Sequence, residues 1–208
     1  MTAQRKHRVI VFAALLAVVA AAVAAFSYRM APGTRDAGAL PVMSEIGGDF
    51  ELTRAGGARV RLRDYHGRAA LLFFGYTHCP DVCPTALYTL KTVMDELGSA
   101  ADAVTVAMIT VDPQHDTPEH LDEYVRYFHP RFVGLGGTGP DIEKVAGQYR
   151  VYHRDESTPA GERVAHSAYV YLLDRRQRVR AVFASGAGAA DIAESVRQVL
   201  KEADAPAG

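Results

Sequence analysis

The chain places its only two cysteines in one short run, Gly75-Tyr76-Thr77-His78-Cys79-Pro80-Asp81-Val82-Cys83-Pro84. Three residues separate the sulfurs, about one helical turn, so both thiols can face the same way. A thiolate is the nucleophile of disulfide exchange and also a soft ligand for Cu(I) or zinc. A purely structural bridge here would close a very short loop and stabilise little. We therefore read the pair as redox-active or metal-binding, and two sulfurs in isolation do not choose between the two.

The elements around the pair define its setting. Phe50 to Thr53 and Ala58 to Leu62 flank Gly56-Gly57 and predict a hairpin. Ala69 to Tyr76 is nearly continuous in apolar residues, as expected of a central strand buried on both faces. A helix begins near Cys83 with Pro84 in its first turn, where a missing N–H costs nothing, and presents Leu87, Leu90, Met94 and Leu97 inward. The thiols thus meet a helix N-terminus, whose partial positive charge favours thiolate. Val104 to Val111 predicts a second buried strand, and Thr117-Pro118 opens a helix with Leu121, Tyr124, Val125 and Phe128 inside. A short strand near Phe132-Val133 and a helix with Ile142, Val145, Ala146 and Tyr149 follow. Ala168 to Leu173 and Val179 to Phe183 predict an antiparallel pair, and Ile192, Val196, Val199 and Leu200 a final helix. The result is an α/β layered domain with a mixed sheet and flanking helices. Its order of strand, cysteine loop and helix is that of a thioredoxin-like fold.

Eight histidines could supply a third donor. His7 lies in the basic N-terminal flank, and His66, His120 and His129 fall in patterns of solvated surface. His115 sits in the loop Asp112-Pro113-Gln114-His115-Asp116, and His153 follows Tyr152; all six read as bystanders. His78 adjoins Cys79, but consecutive residues at a strand end point in opposite directions. His166 ends a polar, flexible segment, Asp155 to Arg163, and directly precedes the strand Ala168 to Leu173. In a thioredoxin-like sheet the loop before that strand faces the cysteine loop, where disulfide oxidoreductases usually carry a cis-proline. This chain offers His166-Ser167 there, which favours metal over thiol exchange. The candidate metal ligands are Cys79, Cys83 and His166, and the two cysteines are the redox pair if the protein is a reductase. Asp81, Asp112 and Asp116 read as turn and capping residues, with partner docking or tuning of the site as the alternative.

Composition bounds the rest. The 208 residues are 49% hydrophobic and 23% charged, with a formal net charge of −1. No basic stripe suits nucleic acid, and Arg175-Arg176-Gln177-Arg178-Val179-Arg180 reads as a polar turn between strands. Val9 to Phe26 is an apolar run of 18 residues behind Arg5, Lys6, His7 and Arg8. Such a run spans about 27 Å, close to the ~30 Å bilayer core. It predicts a single transmembrane anchor over 9–26, with the flank 1–8 cytoplasmic and the remainder outside. A cleaved signal peptide ending near Ala22-Val23-Ala24 is the competing reading. We expect a tether over 27–42, a folded domain over 43–203, a C-terminal tail over 204–208 and residence in a bacterial cell membrane.

The motifs resemble the Sco/SenC family of copper chaperones for cytochrome c oxidase assembly. The matching residues are Phe74 through Pro84, Thr110-Val111-Asp112-Pro113, Asp116-Thr117-Pro118, Tyr149-Arg150-Val151-Tyr152, and His166-Ser167 leading into Tyr171-Leu172-Leu173-Asp174. The resemblance implies that Cys79, Cys83 and His166 bind one copper ion, Cu(I) or Cu(II). It further implies delivery to the binuclear CuA site of oxidase subunit II or a related copper enzyme, or reduction of the target's cysteines, with a separate chaperone loading the metal. The family often has Asp before the ligand histidine, where this chain has Ala165. An envelope thiol–disulfide oxidoreductase and a copper- or redox-sensing protein are the alternatives. A peroxiredoxin-like peroxidase lacks its expected Thr or Ser and Arg around one cysteine.

Overall fold

The computed structural model describes residues 39–158 and 161–202. The expected flank 1–8, anchor 9–26 and tail 204–208 lie outside the described residues, as does the tether apart from residues 39–42. Among the described residues no helix is long and apolar enough to cross a membrane.

The described chain opens with the expected hairpin, Glu51–Thr53 (β1) and Arg59–Arg61 (β2), paired antiparallel with Leu52 opposite Val60. Ala69–Gly75 (β3) and, after the helix Val82–Leu97 (α1), Val104–Thr110 (β4) are buried at every position. That burial explains why both strands read as unbroken apolar runs. Pro118–Phe128 (α2), Val133–Leu135 (β5) and Gly139–Gln148 (α3) follow. Both helices start on a threonine cap: Thr117 accepts from the His120 N–H, and Thr138 exchanges bonds with Asp141 in a capping box.

Of the segment expected to be flexible, the described residues 155–158 and 161–163 instead belong to a paired hairpin. His153–Thr158 (β6) pairs antiparallel with Gly161–His166 (β7), with His153 opposite His166. A ribbon apart from the main sheet has no apolar face to advertise, so sequence alternation does not reveal it. Its base is secured by Val164, which is buried, and by Ser167 N–H donating to the Tyr152 carbonyl at 2.8 Å. Tyr169–Leu173 (β8), Val179–Ala184 (β9) and Ala189–Glu202 (α4) complete the domain.

The main sheet runs β5-β4-β3-β8-β9. β4 is parallel to β3 and β5, whereas β8 is antiparallel to β3 and β9. This is a thioredoxin-like mixed sheet. The parallel steps require crossovers, supplied by α1 between β3 and β4 and by α2 between β4 and β5. The α2 crossover lies tight against the sheet: a Cβ at Gly134 would stand 2.7 Å from the backbone of Leu121, so only glycine permits that approach. At the centre, Phe74, Tyr149 and Tyr171 meet as a three-ring cluster with centroids 5.4–5.7 Å apart.

The stretch expected as a turn between strands is one up to Arg178, but Val179 and Arg180 already belong to β9 and the last cation points inward. Arg180 is 5% exposed; it pairs with Asp174 and Glu202 and donates to the Leu40 carbonyl. Leu40 N–H in turn donates to Glu202 at 3.1 Å, and Met43 N–H to the Val179 carbonyl at 2.8 Å. Residues 40–43 are thereby bound to the end of the domain. Removing one partner of a buried pair strands the other. We expect Arg180→Ala to lose about 3 kcal/mol in urea unfolding, at the low end for such pairs because Asp174 keeps Arg178. An unchanged midpoint would show that the pair is already solvated.

Candidate metal centre

The cysteine loop leaves β3 at Gly75 and re-enters regular structure at Val82. Gly75 is required by close approach: a Cβ there would lie 2.9 Å from the Cys83 sulfur and 2.7 Å from the Phe73 ring. Cys83 is completely buried in the first turn of α1, and Cys79 is half-buried in the loop before it. The thiols are not bridged. Asp81 is the N-cap residue of α1, but its side chain caps nothing. The Cys79 sulfur does that work, accepting the Cys83 backbone N–H at 3.4 Å and that of Asp81. A sulfur seated on the N–H groups of a helix start occupies an anion site.

The two thiols are electrostatically unlike. A hydrogen bond from the Cys83 thiol is the largest influence on Cys79, and the His166 ring and the two backbone N–H groups add to it. Against the opposing effect of burial, they bring Cys79 down to about 3. Cys83 moves far upward, first because Cys79 takes its proton bond and then because it is buried. The arrangement is one thiolate and one thiol that shares its proton with it.

His166 completes the group from β7. Its Nε2 lies 3.4 Å from the Cys83 sulfur, and the donor atoms of Cys79, Cys83 and His166 all lie within 4.8 Å of one another. Its Nδ1 lies 3.3 Å from the Ser167 carbonyl. A carbonyl only accepts, so Nδ1 carries an N–H, and Nε2 is the ring nitrogen that faces the sulfurs. The ring is further held edge-on by Tyr76 and Phe73, with centroids 5.6 and 6.4 Å away. Donors at about 2.0–2.3 Å from one ion stand roughly 3.5–4 Å apart, so this group needs only slight closure to hold a metal.

The structure therefore brings together all three sequence candidates. His78 turns away, as expected, toward Asp116 (3.9 Å). His66 is exposed, and His153 binds Glu143 at 3.1 Å. His129 departs from expectation: it is partly buried against Phe132, and burial followed by Arg131 lowers its pKa. Tyr76 escaped the sequence reading, and Asp116 follows its alternative there, a role at the site, rather than the turn role alone. Tyr76 accepts from the Val164 backbone N–H and reaches the Cys79 sulfur, and burial, then Cys79, raises its hydroxyl pKa. Asp116, read as a turn residue, is 3% exposed and accepts the Thr77 N–H at 3.1 Å, the Thr77 hydroxyl and the Thr110 hydroxyl at 2.8 Å. The Asp-Thr-Pro motif marks Asp116, but its cross-loop partners are not visible in sequence.

Comparison with known proteins supplies the context. Residues 39–201 match the model of the family described as SCO1/SenC. Protein SCO1 homolog 1, mitochondrial, of Arabidopsis thaliana is 42% identical over 131 residues, covering 62% of this chain and 39% of that protein. A SCO2-like protein of Rickettsia conorii is 37% identical over 134 residues, covering 62% of this chain and 65% of its own length. The chain thus spans less than two thirds of either relative. Among solved structures, Arabidopsis thaliana ScoI with copper bound is 33% identical with a TM-score of 0.71, over 76% of this chain and 99% of that one. Bradyrhizobium japonicum ScoI with copper bound is 38% identical with a TM-score of 0.69, over 74% and 99%.

Two outcomes follow from the geometry. Alkylation of the reduced protein by iodoacetamide should select Cys79 and hold its rate from about pH 8 to about pH 5, since an anion stabilised to about 3 stays deprotonated throughout. A tenfold loss per pH unit, the behaviour of an ordinary thiol near 8.5, would contradict this. Gly75→Ala should cost about 1–3 kcal/mol in urea unfolding, because the added methyl overlaps the Cys83 sulfur and the Phe73 ring. A neutral effect would show that the sulfur has room to move.

Proposed function

From the premise that the chain belongs to the SCO1/SenC family, we propose that it binds one copper ion through Cys79, Cys83 and His166 and passes it to another copper protein. The observation that carries this is the convergence of two sulfurs and one imidazole nitrogen from the loop, α1 and β7 within 4.8 Å. Two similar proteins of known structure carry copper. Two thiolates and one neutral imidazole are a soft, three-coordinate donor set, which suits Cu(I). Copper is here a cargo. Cys79 is partly exposed, so a partner's thiolates can enter the coordination shell as the chain's own donors leave.

The recipient we propose is the CuA site of cytochrome c oxidase subunit II or a related envelope copper enzyme, with a separate chaperone supplying the ion. The apolar run 9–26 supports a membrane-anchored chain with the described domain on the extracytoplasmic side.

One observation favours a second reading with the same residues. The half-exposed Cys79 thiolate beside the buried Cys83 thiol has the asymmetry of an attacking and a resolving cysteine. Cys79 would attack a partner's disulfide, releasing one partner thiolate and forming a mixed disulfide. Cys83 would then displace the second partner thiolate, leaving Cys79 and Cys83 oxidised and the partner reduced.

The deciding measurement is an anaerobic Cu(I) competition titration of the reduced chain beside its His166→Ala variant. We expect one equivalent held tightly by the parent and at least about tenfold more weakly by the variant. Loose binding indifferent to His166 would remove the copper reading and leave thiol exchange.

A further inference from the structure

We propose that His78, His115 and His120 form a second metal site, for a borderline divalent ion of the Cu(II) or Ni(II) kind, beside the cysteine loop. The three imidazoles come from different elements: His78 from the cysteine loop, His115 from the β4–α2 loop and His120 from the first turn of α2. They are nonetheless neighbours. The His78 ring centroid lies 6.2 Å from that of His115 and 5.7 Å from that of His120, both edge to face.

The His78–His120 separation is that of two rings on one ion, and the His78–His115 separation is slightly wider. With metal–nitrogen bonds of about 2.0–2.1 Å and ring centres roughly 1 Å beyond, two imidazoles on one ion hold their centroids ~5–6 Å apart. The nitrogens are not yet gathered as closely as the donors of the Cys79 group, so binding requires the exposed rings of His78 and His120 to turn. His78 and His115 have more than half of their side-chain surface in solvent, 61% and 52%, which gives room for small rearrangements.

The surroundings of two of the rings carry the argument further. Metal-binding histidines commonly give their other ring nitrogen to a carboxylate, which fixes orientation and raises basicity. Nδ1 of His115 lies 2.9 and 3.0 Å from the two oxygens of Asp112. Nδ1 of His78 lies 3.2 Å from the Thr77 hydroxyl and 3.9 Å from Asp116. Both carboxylates are largely buried. The start of α2 repels a cation through its dipole, and the negative charge of Asp112 and Asp116 offsets that repulsion. A set of imidazoles without thiolate suits Cu(II), Ni(II) or Zn(II) better than Cu(I). This distinguishes the site chemically from the cysteine centre, and the inference does not depend on what that centre binds.

The test uses the full 208-residue chain carrying Cys79→Ser and Cys83→Ser, titrated with Cu(II) against glycine as competitor and followed by electron paramagnetic resonance. We expect one bound Cu(II) with nitrogen hyperfine structure from at least two imidazoles. His115→Gln with His120→Gln should weaken it by at least about tenfold, and His153→Gln and His166→Ala should leave it unchanged. Should the double variant lose its thermal transition, because Asp112 loses its partner, His120→Gln decides alone. Binding no tighter than to glycine, or equal in the His115/His120 variants, would show that these rings merely pack at the surface.

Discussion

Asp116 holds the cysteine loop to the body of the fold with a carboxylate that has almost no water around it. Its oxygens accept from the backbone and hydroxyl of Thr77, two residues before Cys79, and from the hydroxyl of Thr110 at the end of β4. Thr110 in turn accepts the Asp112 N–H at 2.9 Å, and Asp116 N–H bonds the Asp112 carbonyl. The loop between β3 and α1 and the loop between β4 and α2 are thus one hydrogen-bonded unit. A buried carboxylate that lost these donors would face a desolvation cost of several kcal/mol, so the unit has little tendency to open. Bonds to charged acceptors are also the stronger kind. The consequence reaches the chemistry, because a loop pinned at Thr77 presents Cys79 to the start of α1 in one geometry.

Given that geometry, the division of labour between the sulfurs follows from where each stands. Cys83 lies within the first turn of α1 and against β3, where Gly75 leaves space for the sulfur and nothing larger. Cys79 lies one turn earlier, where the unpaired N–H groups of the helix start point toward it. Both sulfurs lie within 4.8 Å of the one His166 ring nitrogen that faces them. The same asymmetry serves a soft ion, which needs both thiolates, and disulfide chemistry, which needs one at a time. The fold therefore does not choose between the two by its sulfurs. The third donor makes the difference, because an imidazole directed at both sulfurs adds a metal ligand that thiol exchange does not need.

The sequence disclosed those parts of the molecule whose signal is burial. β3 and β4 are legible as unbroken apolar runs because they are buried on both faces, and the inner faces of α1 and α2 because core-facing residues recur with the helical period. Cys79, Cys83 and His166 were legible because residue type and position relative to strands suffice when the fold class is recognised. The β6–β7 hairpin was not, since its pairing is carried by backbone groups that every residue possesses. Arg180 was hidden for a related reason: a cation in a run of arginines looks solvated, and only the tertiary fold brings Asp174, Glu202 and Leu40 around it. Asp116 shows the intermediate case. Its place before Thr117-Pro118 identifies a turn, but its work is done toward Thr77, 39 residues away, at a distance no local pattern encodes.

The hairpin changes how His166 should be understood. A ligand on a flexible segment would be drawn in by the ion and would lose side-chain and backbone freedom in the process. His166 instead ends a paired strand whose register sets it opposite His153, and Ser167 after it is bonded to Tyr152 through both backbone and hydroxyl. Its ring lies between Tyr76 and Phe73, with a carbonyl rather than a carboxylate at Nδ1. Packing and backbone therefore supply orientation without an aspartate before the histidine, and Ala165 is compatible with a well-placed imidazole. They do not supply the negative charge. A neutral acceptor makes Nε2 less basic than a carboxylate would, and that difference weighs more on a doubly charged ion than on a singly charged one. The proposed second site differs, with a carboxylate hydrogen-bonded behind His115 and Asp116 standing 3.9 Å from His78. On the proposed readings the two donor sets suit different charges: soft sulfur with a neutral-backed imidazole a monovalent ion, imidazoles beside carboxylates a divalent one.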